Sequence, residues 1–192
     1  MAKFFGNLNL VVLVGIVLAV LTMVCYADVS PINVGSVFHW LHVFFGILWI
    51  GLLYYLNFVQ VPTMPKVPAE LKKGVTGYIA PNVFFYFRYA ALLTVVTGLV
   101  IAINAGYAHR ALTFSGATRS ENMIGLGMWL ALIMAFNVWF IIWPAQKKIL
   151  GIIDATDEEK AKATPRALIA SRTKVLLSLA MIYCMVSANI NI

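Results

Sequence analysis

FHWLHVFFGILWIGLLYYLNFVQVP, Phe38–Pro62, is the stretch that decides the fold class. As a helix it is long enough to cross a hydrocarbon core of roughly 30 Å. Its polar side chains are few and placed at its ends: His39 and His42 near the start, Asn57 near the finish. The rest of the chain repeats the same composition. Of 192 residues, 62% are hydrophobic and only 11% charged, against about 25% charged in an average soluble domain. No water-soluble fold of this size hides so much apolar surface, so the chain reads as an all-α integral membrane protein.

Four further apolar runs flank the first. Residues 8–27 form a span of about 20 residues, the length a membrane helix needs. The rival reading is a signal peptide, but the run is long for one and VCYADV is a poor cleavage site. Beyond Phe38–Pro62, whose helix is expected over 36–60, Pro62, Pro65 and Pro68 are expected to end it and hold the chain extended. The next helix is expected from Pro81-Asn82 to about Asn104, and another from about Asn122 to Trp143, stopping at Pro144. The last runs from Pro165 to Ile190. Before it, DATDEEKAKATP suggests a short surface helix.

Five spans force alternating sides. With Lys3 inside, twelve of the fourteen basic residues fall on or next to the inner side, and only Arg110 and Arg119 fall outside. That bias predicts a cytoplasmic N-terminus and an outer C-terminus, in a bacterial inner membrane. It also explains the net charge of +7 without nucleic acid. The lipid bilayer is the expected partner, with other membrane subunits or further copies of the chain.

The second and third spans match the fourth and fifth. Trp49 precedes Asn57 by eight residues, and Trp129 precedes Asn137 by eight; each helix then reaches proline and lysine. Pro81 precedes Arg88 as Pro165 precedes Arg172, and Leu92-Leu93-Thr94 matches Leu176-Leu177-Ser178. Both units start on the same side, so the repeat is parallel. The expected architecture is one membrane domain of two tandem hairpins forming a four-helix bundle. Residues 1–35 make a flanking helix, 36–104 the first repeat and 122–190 the second.

The candidate chemistry lies in two places. Arg88 and Arg172, with Asn57 and Asn137, suggest a polar cavity near the inner side that could hold an anionic group. The bland alternative is two arginines snorkelling to head groups while the amides join helices. His39 and His42, three residues apart, share a helix face with Gly46, Trp49 and Leu53. That face suits an axial ligand of a b-type haem, with Gly46 leaving room for the porphyrin, Trp49 packing on it, and Met181 or Met185 as a second ligand. Alternatively it suits copper or another transition metal, with His109 or Asp28 completing the site. Interfacial histidines bonded to backbone or water are the ordinary alternative. The aromatic strip around Tyr54, Tyr55, Phe58 and Phe84–Phe87 reads as an interfacial belt, with a quinone pocket as the minority reading. Cys25 and Cys184 lie in apolar runs and belong to no CxxC or CxxCH pattern. Hydrolase and nucleotide-binding motifs are missing from the sequence.

WLHVFFGILWIGLLYYLNFVQVPTMPK, FFYFRYAALLTVVTGL and NVWFIIWPAQKK resemble the membrane domain of the PuuD-type urate hydroxylase (urate oxidase N-terminal) family. The likeness covers roughly residues 38–99 and 128–148. A shorter likeness at WLH…GILWIGLLYY is similar to the HemJ protoporphyrinogen oxidase family. Members of the first family active on urate join this domain to a cytochrome c domain. Both resemblances imply redox chemistry at the membrane and favour haem at His42. A non-catalytic accessory subunit of a larger membrane enzyme and a small-molecule transporter are the readings from other classes.

Overall fold

The computed structural model describes residues 2–26 and 33–188. Every regular element among them is helical. A short helix, α1 (Ala2–Phe5), precedes α2 (Leu8–Tyr26). Then come four long rods with one short helix between them. They are α3 (Val34–Lys66), α4 (Ala69–Asn104), α5 (Ala108–Leu112), α6 (Arg119–Ile149) and α7 (Asp157–Ser187). Among the described residues, five helices are long and apolar enough to cross a membrane. Residues 1–37 and 38–192 form two compact units.

The rods are longer than the prolines suggest, and the reason is local. A proline inside a helix removes one N–H and drives its ring into the carbonyl four residues back. Here the turn ahead of the proline is widened. Val61 N–H bonds the Leu56 carbonyl five residues back, just before Pro62. Ala80 does the same to Val75 before Pro81, and Trp143 to Val138 before Pro144. Such a wide turn gives the ring room, and the helix continues. Pro62 and Pro144 therefore do not stop their helices, and Pro81 does not start one. What stops α3 is Pro68: the residue before it, Val67, is extended at φ −74° and ψ 128°, as proline requires of its predecessor. Lys72 and Lys73 consequently lie on α4 and not in a loop.

Glycine ends α4 and α6. Gly106 and Gly151 have φ of +74° and +70°, a conformation that costs glycine little. Tyr107 N–H then reaches back to the Ala102 carbonyl, and Ile152 N–H to that of Lys147, closing carbonyls the helix leaves open. At its start, α7 is capped by Thr156 and Glu159, each side chain accepting the other's backbone N–H. The charged segment before Pro165 is thus the first two turns of α7, not a separate helix. Pro165 follows those turns, exposed and with no widened turn before it. Ile190 lies outside the described residues.

In the larger unit, α7 packs on α6, and α4 on α6. The main core joins Trp49, Leu53 and Leu56 of α3 to Phe84, Phe87 and Ala91 of α4, Met134 and Val138 of α6, and Met181 of α7. Large apolar side chains such as Ile47, Phe136, Phe140 and Leu176 point outward, a surface compatible with lipid.

Candidate functional site

His42 is held by α4. Its Nδ1 lies 2.9 Å from the Thr94 carbonyl oxygen and 3.3 Å from Thr97 Oγ1. A carbonyl only accepts, so Nδ1 carries the proton and donates it; Nε2 keeps its lone pair. Gly98, one turn after Thr94, makes this approach possible. A Cβ there would stand 2.8 Å from His42 Cε1, closer than packed atoms allow. Gly46, one turn after His42, faces the Thr94 side chain.

His39 and His42 both line a cavity of about 230 Å³. Thr94, Tyr107, Met128 and Met185 line it too, the remainder being aliphatic. Tyr107 opens onto α5, and α5 is pressed on α6: a Cβ on Gly125 would run into the Ala111 carbonyl. The Arg110–Glu121 ion pair at 2.8 Å and the Trp129 indole N–H on the Leu112 carbonyl at 2.9 Å hold α5 in place. Glu121 also stabilises the charged form of Arg110 and raises its pKa.

Other expected partners of the histidines lie elsewhere. His109 is exposed on α5 and is not among the cavity's lining residues. Trp49 is fully buried in the main core, and so is Met181. Asp28 lies outside the described residues. Among the described residues, no three of histidine, cysteine, aspartate and glutamate gather as a metal-binding group.

The two arginines do not form a pair. Arg88 is buried and stacks on the indole of Trp143, 3.2 Å from Cζ to the ring centroid, with Trp139 at 5.6 Å. Arg172, its counterpart in the sequence repeat, is exposed. The reason is helical phase: Ser171, Lys174 and Ser178 share the inward face of α7, and residue 172 points away. The buried basic residue on that helix is Lys174, with no exposed surface. Its Nζ makes no hydrogen bond and lies 4.1 Å from the Phe87 ring centroid. The sequence reading missed it as a site, although the polar spacing Ser171, Lys174, Ser178 carried the signal.

Asn57 and Asn137 are both buried and both reach α7. Asn57 Nδ2 donates to Ser171 Oγ at 2.8 Å, and Asn137 Nδ2 to the Ala170 carbonyl at 3.3 Å. One turn on, Tyr54 and Ser178 hydroxyls meet at 3.0 Å. Both amide oxygens lack a partner. These groups bind helices together around Lys174; none of them lines the histidine cavity.

The profile of the urate oxidase N-terminal family matches residues 82–192, more than half of the chain. The chain belongs to the urate oxidase N-terminal family. No curated protein and no solved structure matches it. The family match takes in Arg88, Thr94, Gly98, Met128, Asn137, Lys174 and Met185. His39, His42 and Asn57 precede it. The cavity of this urate oxidase N-terminal protein is therefore built from family-matched residues on three sides and from α3 on the fourth.

Proposed function

We propose that this chain is a PuuD-like membrane redox component that holds a b-type haem or a transition-metal ion in the cavity beside His42. One observation carries the reading: Nδ1–H of His42 is tied to the Thr94 carbonyl. That bond fixes the tautomer and leaves Nε2 as a ligand, the arrangement metal-binding imidazoles usually have.

The donor chemistry fits. An imidazole of fixed tautomer stands among apolar walls, with thioethers on the same cavity. A metal centre bound there supplies one-electron transfer. Thr94 and Gly98 aim His42, the aliphatic walls keep water away, and Tyr107, just ahead of α5, lines one side. The lining includes imidazoles but no guanidinium or ammonium group. That supports assigning this cavity electron transfer rather than capture of an organic anion such as urate.

In this reading the five apolar helices insert in a bacterial inner membrane. The last four form two parallel-related hairpins, with Lys66, Lys147 and Lys160 on the cytoplasmic side. The positive-charge bias supports that orientation. Absorption spectroscopy and metal analysis of detergent-purified protein test the function. The expected result is a Soret band or stoichiometric metal, lost in His42→Ala. Wild-type protein that holds neither, and takes up neither haem nor metal when reconstituted, overturns it.

A further inference from the structure

Two glycines seat two side chains on the same cavity. Gly98 of α4 leaves the space His42 occupies. Gly127 of α6 does the same for Met185 of α7: a Cβ there would stand 3.0 Å from the Met185 methyl and 3.5 Å from its sulfur. Met128, the next residue on α6, lines the cavity as well. Thus α3 supplies an imidazole, α7 one thioether and α6 another, each next to a backbone that has made room or lies beside the room made.

The cavity offers no carboxylate or thiolate, and its side-chain oxygen donors are the neutral hydroxyls of Thr94 and Tyr107. Its lining residues include no aspartate, glutamate or cysteine; Cys184 is buried next to Gly127 but is not on the cavity wall. Every candidate ligand is neutral. A divalent ion held by neutral ligands among apolar walls keeps two uncompensated charges out of water, and that penalty rises steeply with charge. A monovalent ion carries a much smaller penalty. Thioether sulfur is a soft donor and imidazole an intermediate one, a set that selects cuprous copper over zinc, magnesium or calcium.

We infer that the cavity is a site for monovalent copper, held by His42 Nε2 with the thioethers of Met185 and Met128. The inference rests on the reading of His42 as a metal ligand and narrows it to one ion. His39, one turn earlier on the same face, lines the cavity as a further imidazole. Binding is a simple association, with no change in oxidation state.

Copper-free protein, purified in detergent under reducing conditions, is titrated with Cu(I) against a chromophoric cuprous chelator. X-ray absorption at the copper edge reads the ligands. The expected result is one Cu(I) per chain with sulfur in its first shell. Met185→Leu, close to isosteric, is expected to weaken binding tenfold or more and to remove sulfur scattering. Gly127→Ala, which displaces Met185 without altering a ligand, is expected to weaken it in the same direction. Uptake unchanged by Met185→Leu and Gly127→Ala overturns the inference, as does a spectrum with nitrogen ligands only. Stoichiometric haem in the protein as purified overturns it too, while leaving the redox reading intact. Protein that takes up no Cu(I) also overturns it, and protein that holds and takes up neither haem nor any metal ends both.

Discussion

His42 lies against Gly98 so closely that a methyl group on residue 98 would come within 2.8 Å of the imidazole Cε1. No rearrangement of a flexible tip relieves that contact, because the ring is also bonded to the Thr94 carbonyl. Gly98→Ala is therefore expected to push the ring off Thr94. Overpacking costs about 1–3 kcal/mol, while alanine returns about 1 kcal/mol of helix propensity. The net loss of stability is small, and the larger effect falls on the ring. Thermal unfolding is expected to shift by a few degrees, whereas the spectrum or metal content of the purified protein falls to that of His42→Ala. Retention of the bound centre in Gly98→Ala would contradict the assigned role.

Lys174 has no exposed surface and no hydrogen bond for its Nζ. An unsatisfied buried polar group costs about 1–3 kcal/mol. Its contact with the Phe87 ring at 4.1 Å returns part of this. Lys174→Met keeps the length of the stem and removes the amine. We expect unchanged or higher stability, measured by thermal unfolding in detergent. Lys174→Ala, which leaves a void, is expected to lose stability. A large loss in Lys174→Met would show that Nζ has a partner the hydrogen-bond pattern does not reveal.

The Arg88 guanidinium is stacked on Trp143 at 3.2 Å. Lysine cannot reproduce a flat cation on a flat ring. Arg88→Lys is expected to destabilise by on the order of 1–2 kcal/mol, and Trp143→Leu by a similar amount. Combined, the two substitutions are expected to cost less than their sum, because they remove the same interaction. Additive losses would mean the stacking contributes nothing.

Asn57 and Ser171 join α3 to α7 through one hydrogen bond of 2.8 Å. Interhelical bonds of this kind in membrane proteins average about 0.6 kcal/mol and reach about 1.7. A double-mutant cycle of Asn57→Ala and Ser171→Ala is expected to return a coupling in that range. Zero coupling would place the amide's contribution in its other bond, to the Leu53 carbonyl at 2.9 Å.

The class of fold was legible in the residues because membrane helices announce themselves by length and composition. Phe38–Pro62 needs no tertiary information to be read as apolar and long enough to span. Helix ends were legible at Asn104, just before Gly106, where the expected and observed ends agree. They were misread at Pro62, Pro81 and Pro144. A proline shows that one N–H is missing, but whether a helix stops or widens depends on the turn before it and on what packs there.

The candidate site was half legible. His39 and His42 stand out as two of three histidines, and their spacing alone puts them on one face. Of their neighbours, Met185 is one of two methionines the sequence offers as a ligand, while Met128 among eight methionines and Gly98 and Gly127 among thirteen glycines are selected only by packing. Arg88 and Arg172 look equivalent in the repeat, but one stacks in the bundle and the other faces outward, because neighbours and helical phase decide burial.

The sequence by itself thus determined that this chain is helical and built of membrane-length spans, since those properties depend on local composition. Only the tertiary structure decided that His42 belongs with Thr94, Gly98 and Met185, residues 52 to 143 positions away. Which side chains meet across helices depends on rotation and close approach, and no local pattern records either.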